Sequence, residues 1–445
     1  MDISFVTKSK IQKSIRFIFF YYFTIVFNYS IVSKLLMNNR ICFLLMFVAF
    51  SFSKAFGQNL LTKTDSTSRE KGGYSHHIVV EFRPASVLSS SPFYKEHNGQ
   101  EQRIRSAFSG HLKYSFGLPT GSLGKEVFRN TEQGIGIAYF SFRGGQEFGS
   151  PVATYLFQNA EIANLGKGLS LGYEWNFGLS TGWKPYNPQT NPENLIVGSR
   201  ENAYINLGMF LKWRLMDRLS LTGGVDITHF SNGNTEYPNA GVNMLGGKIG
   251  LQYDVSKLAA AEVKATNTLQ AHAFPKHISY DVVIFGSWRR KGVYSFGSQV
   301  ASPHKYPVVG AYFAPMYNVS YRFRTGLSLD GIYDGSANVY TEDYIVGTQQ
   351  QFFKPNWNQQ VALGISARAE YIMPIFTIGI GLGKNVLYRG ADFNGTYQSF
   401  ALKIGTSRSS FLHIGYNLKD FHEPNYLMLG LGYRFHNKTP SFLGH

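Results

Sequence analysis

The chain has 445 residues, of which 16% are aromatic and only 16% charged; its formal net charge is +16 and its mean hydropathy slightly negative. A helical membrane protein is far more apolar, and beyond the N-terminal region no window approaches the roughly 18 uninterrupted apolar residues that a spanning helix needs. The single cysteine, Cys42, lies near the N-terminus, which leaves no disulfide framework, thiolate metal site or thiol nucleophile in the rest of the chain.

Met37-Asn-Asn-Arg40, the apolar run Ile41 to Phe52 and the small residues up to Gly57 have the order of a secretory signal: basic start, apolar stretch, cleavage near Gly57. Residues 37–57 are therefore expected to be a signal peptide. Residues 1–36 hold a second apolar run, Phe17 to Val32, and read as an over-extended start or a long basic lead, with an uncleaved helix as the rival. Residues 1–57 carry seven Lys/Arg and one Asp, so about +10 of the +16 stays on the remainder. Such a surface suits anionic lipid as well as nucleic acid, and export decides for lipid, with no nucleic-acid partner. Residues 58–73 are polar and patternless, a disordered lead.

Alternating segments follow. In residues 169–183, Leu169, Leu171, Tyr173, Trp175, Phe177, Leu179 and Trp183 share one parity, and Ser170, Gly172, Glu174, Asn176, Gly178, Ser180 and Gly182 the other. Side chains alternate across a strand, so one face is greasy and the other small and polar, which fits lipid outside and a polar lumen inside. The pattern recurs in Ile205 to Trp213, in Phe376 to Leu382 and in Leu412 to Leu418, and about sixteen such segments lie between residues 75 and 436. The expected fold is all-β: a transmembrane antiparallel barrel of about 12–16 strands, with two consecutive eight-stranded barrels as the alternative. Its halves are residues 74–254 and 255–436, with a tail at 437–445. Gly430, Tyr433 and Phe435 in the last segment resemble the terminal signal read by barrel-insertion machinery, a partner this implies.

One stretch departs from the pattern. Leu219, Leu221, Val225 and Ile227 form the apolar parity of the seventh segment, which continues directly into His229 and Ser231. Polar groups facing hydrocarbon lose water without guaranteed partners, so their presence on that face asks for a reason. Residues two apart on a strand lie within mutual reach, so His229 can take the Ser231 proton and make it a nucleophile. The loop that follows leads into Ile249, Leu251 and Tyr253, whose parity Asn243 shares; Asn243 can return beside His229 and orient the imidazole. Asn232, Gly233 and Asn239 are candidate donors for an oxyanion. A loop entrance wetted by head groups is the plainer reading of the same residues.

At these positions the chain resembles the lipid A 3-O-deacylase and acyloxyacyl hydrolase family of outer-membrane barrels, through His229-Phe-Ser231-Asn232 followed by Pro238-Asn239-Ala-Gly241. The resemblance implies a serine ester hydrolase of the Gram-negative outer membrane that acts on acyl chains of lipid A or lipopolysaccharide, with outer-membrane lipid around it. His229 is then the general base, Ser231 the nucleophile, and Asn232 and Asn239 shape the oxyanion site, with no metal and no cofactor. Asn243 stands where that family has an acidic residue. This departure, with His229, Ser231, Asn232 and Gly233, is similar to outer-membrane phospholipase A, which implies calcium as cofactor and a homodimer. A non-catalytic pore or structural barrel that inherited the motif is the third reading.

Elsewhere, Asp330, Asp334, Glu342 and Asp343 gather carboxylates that suit calcium or, more simply, a solvated loop. His76, His77, His413 and His422 read as interface or turn residues, and Trp288-Arg289-Arg290-Lys291 as a girdle residue followed by a basic turn facing lipid phosphates.

Overall fold

A computed structural model describes residues 73–88, 94, 103–119, 122–256, 274–295, 298–342, 350–421 and 423–439. The signal expected at 37–57, the segment before it, the lead up to residue 72, Asp343, His422 and the end of the tail lie outside the described residues.

Alternating segments become strands in chain order: β1 (Ser75–Val87), β2 (Ser106–Gly117), β3 (Thr131–Arg143), β4 (Gly149–Gly166), β5 (Leu169–Trp183), β6 (Glu201–Met216), β7 (Leu219–Ser231) and β8 (Val242–Asp254). All neighbours are antiparallel, and β8 pairs back onto β1, His77 opposite Asp254, to close a barrel. A second closed barrel follows: β9 (His277–Arg289), β12 (Tyr306–Asn318), β13 (Phe323–Asp334), β16 (Val361–Ile372), β17 (Phe376–Tyr388), β18 (Thr396–Gly405), β19 (Ser410–Lys419) and β20 (Glu423–Phe435), the last pairing with β9. Two rim hairpins, β10 (Gly292–Ser295) with β11 (Ser298–Ala301) and β14 (Tyr340–Thr341) with β15 (Phe352–Phe353), stand apart from its wall. The sixteen wall strands thus make two barrels of eight, the alternative arrangement, and not one wide barrel. Period-two alternation is blind to this choice. It records which face a residue takes, but not where a sheet closes.

Closure at eight strands leaves an interior just wide enough to be filled by side chains. In the first barrel Arg83 lies 2.5 Å from Glu81, 2.7 Å from Glu174 and 3.4 Å from Asp226; Lys113 reaches Glu81 and Glu174 at 2.7 Å each, and Lys248 reaches Glu174 at 3.1 Å. Three cations face three carboxylates, so the buried cluster is neutral, as burial demands. Above it, aromatic rings close the interior: Phe140 packs edge-on to Phe230 at 5.0 Å between centroids, and Trp183 to Phe230 at 4.9 Å. The second barrel repeats the scheme with Asp281 and Glu370 set among Lys403, Arg434 and Arg324. The open lumen expected of a wider barrel is replaced by packed ion pairs.

Outside, Val80, Phe82, Leu112, Ile137, Leu207, Val225, Ile284 and Leu327 are all exposed, the apolar belt that faces hydrocarbon. Strand β5 corrects the expectation that its whole greasy face meets lipid. Trp175 is only 7% exposed, because its ring meets Phe376 of the second barrel edge-on at 5.0 Å. Nearby Gln158, also on an outward position, takes a bond from Gln133 and lies 2.7 Å from the Met373 sulfur. At the rim where β3 begins, Arg322 donates to the Val127 carbonyl and lies over the Phe128 ring. The two barrels therefore stand side by side with matching rims.

Candidate active site

Strand β7 places the site. Thr222, Asp226, Thr228 and Phe230 are buried on the lumen side, while Val225 and Ile227 are exposed outside and His229 and Ser231 continue their parity, half-buried at the rim. In the β7–β8 register His229 lies directly opposite Asn243. The Nδ1 atom of His229 is 2.7 Å from Asn243 Oδ1. A carboxamide oxygen only accepts, so Nδ1 carries the proton and Nε2 is left as the basic nitrogen.

The loop after β7 folds back on itself. Ser231 Oγ accepts from the Gly233 N–H at 3.1 Å and from Asn239 Nδ2 at 3.0 Å, and donates to Asn239 Oδ1 at 3.2 Å. The same Asn239 oxygen accepts from the Asn232 N–H at 3.0 Å. Asn239 is itself fixed from behind by an antiparallel bridge to Val197 in the β5–β6 loop. All six sequence-derived residues are thus joined in two hydrogen-bonded groups on one outward patch, Asn232 through its backbone alone: His229 with Asn243, and Ser231 with Asn239, Gly233 and the Asn232 N–H. The hydroxyl of Ser231 faces Asn239, not His229. The Asn232 side chain turns inward and is buried, with neither amide atom hydrogen-bonded.

Two glycines explain part of the motif. Gly233 (φ +66°) turns the chain out of the strand, and Gly241 (φ +75°) passes so close to the imidazole that a Cβ there would lie 2.9 Å from His229 Cε1.

Sequence reading missed the neighbours across the seam. Asn234 donates through Nδ2 to the carbonyls of Pro424 at 2.9 Å and Asn425 at 3.1 Å, both at the start of β20, and its own carbonyl accepts from the Arg290 N–H at 3.0 Å. Glu236 pairs with Arg290 at 3.6 Å and with Lys305. A carboxylate in the first barrel's loop and a basic run after β9 were both visible in the sequence, but nothing there joined them.

The remaining candidates resolve into structural roles. Arg289 bonds Asp334 at 3.0 Å and Asn425 at 2.6 Å, and Lys291 pairs with Asp392, so the basic turn is engaged by protein carboxylates. Asp330 binds Arg368, Ser366, Ser328 and the Tyr397 hydroxyl. Among the described residues no three His, Cys, Asp or Glu side chains are grouped to hold a metal. His76 stacks on Tyr114, His77 pairs with Glu132 at 3.5 Å, and His413 is wholly buried in the second barrel.

No curated protein matches the chain. Among solved structures it is similar to the outer membrane enzyme PagL (16% identity, 39% of this chain and 97% of that one, TM-score 0.26). It is also similar to the N-terminal β-barrel domain of Pseudomonas aeruginosa OprF (11%, 41% and 100%, TM-score 0.24) and to an outer membrane channel from Pseudomonas putida F1 (10%, 84% and 100%, TM-score 0.20). Residues 167–252 match the model of the lipid A 3-O-deacylase family, and residues 278–437 match that of the acyloxyacyl hydrolase C-terminal domain. With one of these models falling on each barrel, the chain belongs to the lipid A 3-O-deacylase and acyloxyacyl hydrolase family of outer-membrane barrels.

Proposed function

We propose that this chain is an outer-membrane esterase that hydrolyses ester-linked acyl chains of lipid A, with Ser231 as nucleophile. The observation that carries the reading is one patch on the lipid-facing wall: an imidazole oriented by Asn243, and beside it a hydroxyl under two N–H donors. A rotation about the Ser231 Cα–Cβ bond takes the hydroxyl from Asn239 toward His229 Nε2. Oγ then attacks the acyl carbonyl carbon while its proton passes to Nε2. The Gly233 N–H and Asn239 Nδ2, freed from Oγ, are available to the carbonyl oxygen as it becomes negative. Collapse of the adduct breaks the bond from the acyl carbon to the sugar oxygen, which takes the proton back from His229 and leaves as a hydroxyl. Water repeats the cycle on the acyl-serine and releases the fatty acid. Because the patch faces outward, lipid reaches it by lateral diffusion.

The family match supports lipid A as the substrate class. Mass spectrometry of lipid A from cells expressing the wild-type chain should show loss of one ester-linked acyl chain, and cells expressing Ser231→Ala should keep it. Equal acylation in the two strains would end the reading. Asn243, in place of an acidic residue, keeps a calcium-assisted phospholipase as the second reading. Hydrolysis of phospholipid that stops on chelation would favour it, whereas a deacylase continues in chelator.

A further inference from the structure

We infer that the second barrel is a working part of this site: it holds the loop that carries the oxyanion donors, and Asn234 is the positioning residue through which it does so. The inference rests on the reading of Ser231 as nucleophile.

Asn234 joins both sides of the seam. Its Oδ1 accepts from Asn239 Nδ2 at 3.0 Å, and the same Nδ2 donates to Ser231 Oγ. Its own Nδ2 donates to two carbonyls of β20, and its backbone carbonyl accepts from Arg290. A continuous path of hydrogen bonds therefore runs from the wall of the second barrel through Asn234 and Asn239 to Ser231. Beside it, a Cβ on Gly233 would lie 3.4 Å from Leu427 Cβ and 3.6 Å from Tyr416 Cε2, so the loop backbone already rests on the second barrel. Two residues on, Glu236 is held by Arg290 and Lys305. Four anchors within the four consecutive residues 233–236 leave the loop little freedom. An oxyanion site needs that, since its donors must be in place before charge develops.

Asn234 has φ +64°, so glycine takes its place without strain and removes the side chain alone. Asn234→Asp is the sharper variant. It keeps an oxygen to accept from Asn239 but loses the N–H donors to the carbonyls of β20. Full-length wild type, Asn234→Gly, Asn234→Asp and Glu236→Gln would be compared in two ways: by acyl release from lipid A in mixed micelles, and by hydrogen–deuterium exchange of residues 232–240. Both Asn234 variants should lose about tenfold to a hundredfold in kcat, with KM within about twofold, and should exchange faster in that loop while β1 to β8 stay protected. Glu236→Gln should shift exchange in the same direction. Unchanged loop exchange and kcat in Asn234→Asp would overturn the inference, because the anchor on the second barrel would then do nothing. If wild type releases no acyl chain, the deacylase reading falls, and the exchange data still decide whether the second barrel holds the loop.

Discussion

At the scale of single residues the site depends on where a strand stops being lipid-facing. Ile227 and His229 share one parity two residues apart, yet the first meets hydrocarbon and the second meets Asn243. Gly241 makes this pairing compatible with the loop. Its φ of +75° costs an alanine about 1–2 kcal/mol, and the added methyl would press on His229 Cε1. Gly241→Ala is therefore expected to lower kcat at least as far as the Asn234 variants while the folded barrel persists. Heat-modifiable migration on a gel would show the barrel, and acyl release would show the loss. Full activity in Gly241→Ala would mean that the imidazole has room to move aside. The parity of His229, Ser231 and Asn243 was legible in the sequence because alternation fixes faces without any tertiary knowledge. The direction of the Ser231 hydroxyl was not, since a rotamer is chosen by the loop that folds over it, and that loop is held by Asn239.

At the scale of elements, the strands trade a polar interior against an apolar exterior. Every strand of the first barrel's ion cluster contributes one or two charges: Glu81 and Arg83 from β1, Lys113 from β2, Glu174 from β5, Asp226 from β7 and Lys248 from β8. Such a cluster is stable only while complete, because removing one partner leaves the others buried and unpaired. Arg83→Met should cost about 3–5 kcal/mol, read as a lower midpoint of urea unfolding in detergent. An unchanged midpoint would show that water enters and solvates Glu81 and Glu174. The sequence displayed these charges as the small polar face of each strand. It did not display the exceptions on the other face, such as Gln158 and Trp175, because what covers them lies some two hundred residues away at Met373 and Phe376.

At the scale of the whole molecule, the number of strands per barrel decides the function class. A single barrel of 12 or more strands would enclose a channel, whereas two barrels of eight enclose ion pairs and rings. Liposomes carrying the purified chain are therefore expected to swell no faster in small sugars than empty ones. Measurable uptake would revive the pore reading. The sixteen strands were legible in the sequence but their division into two barrels was not, because each hairpin looks the same whether its sheet closes after eight strands or continues. The seam was illegible for a related reason: alternation describes each wall against an average environment, and the partner wall replaces that environment at only a few positions.

Eight is also an even number. A chain that climbs and descends four times returns to the rim it left, so β8 ends beside the start of β1 and β20 ends beside the start of β9. The end of β8 and the start of β9 consequently both lie at the rim away from His229, and the strand order of the first barrel is closed before the second begins. A finished barrel can in this way gain a neighbour by simple extension of its C-terminus, with no rethreading. The loops at the opposite rim, where Asn234 meets β20, are where such a neighbour can begin to share the chemistry.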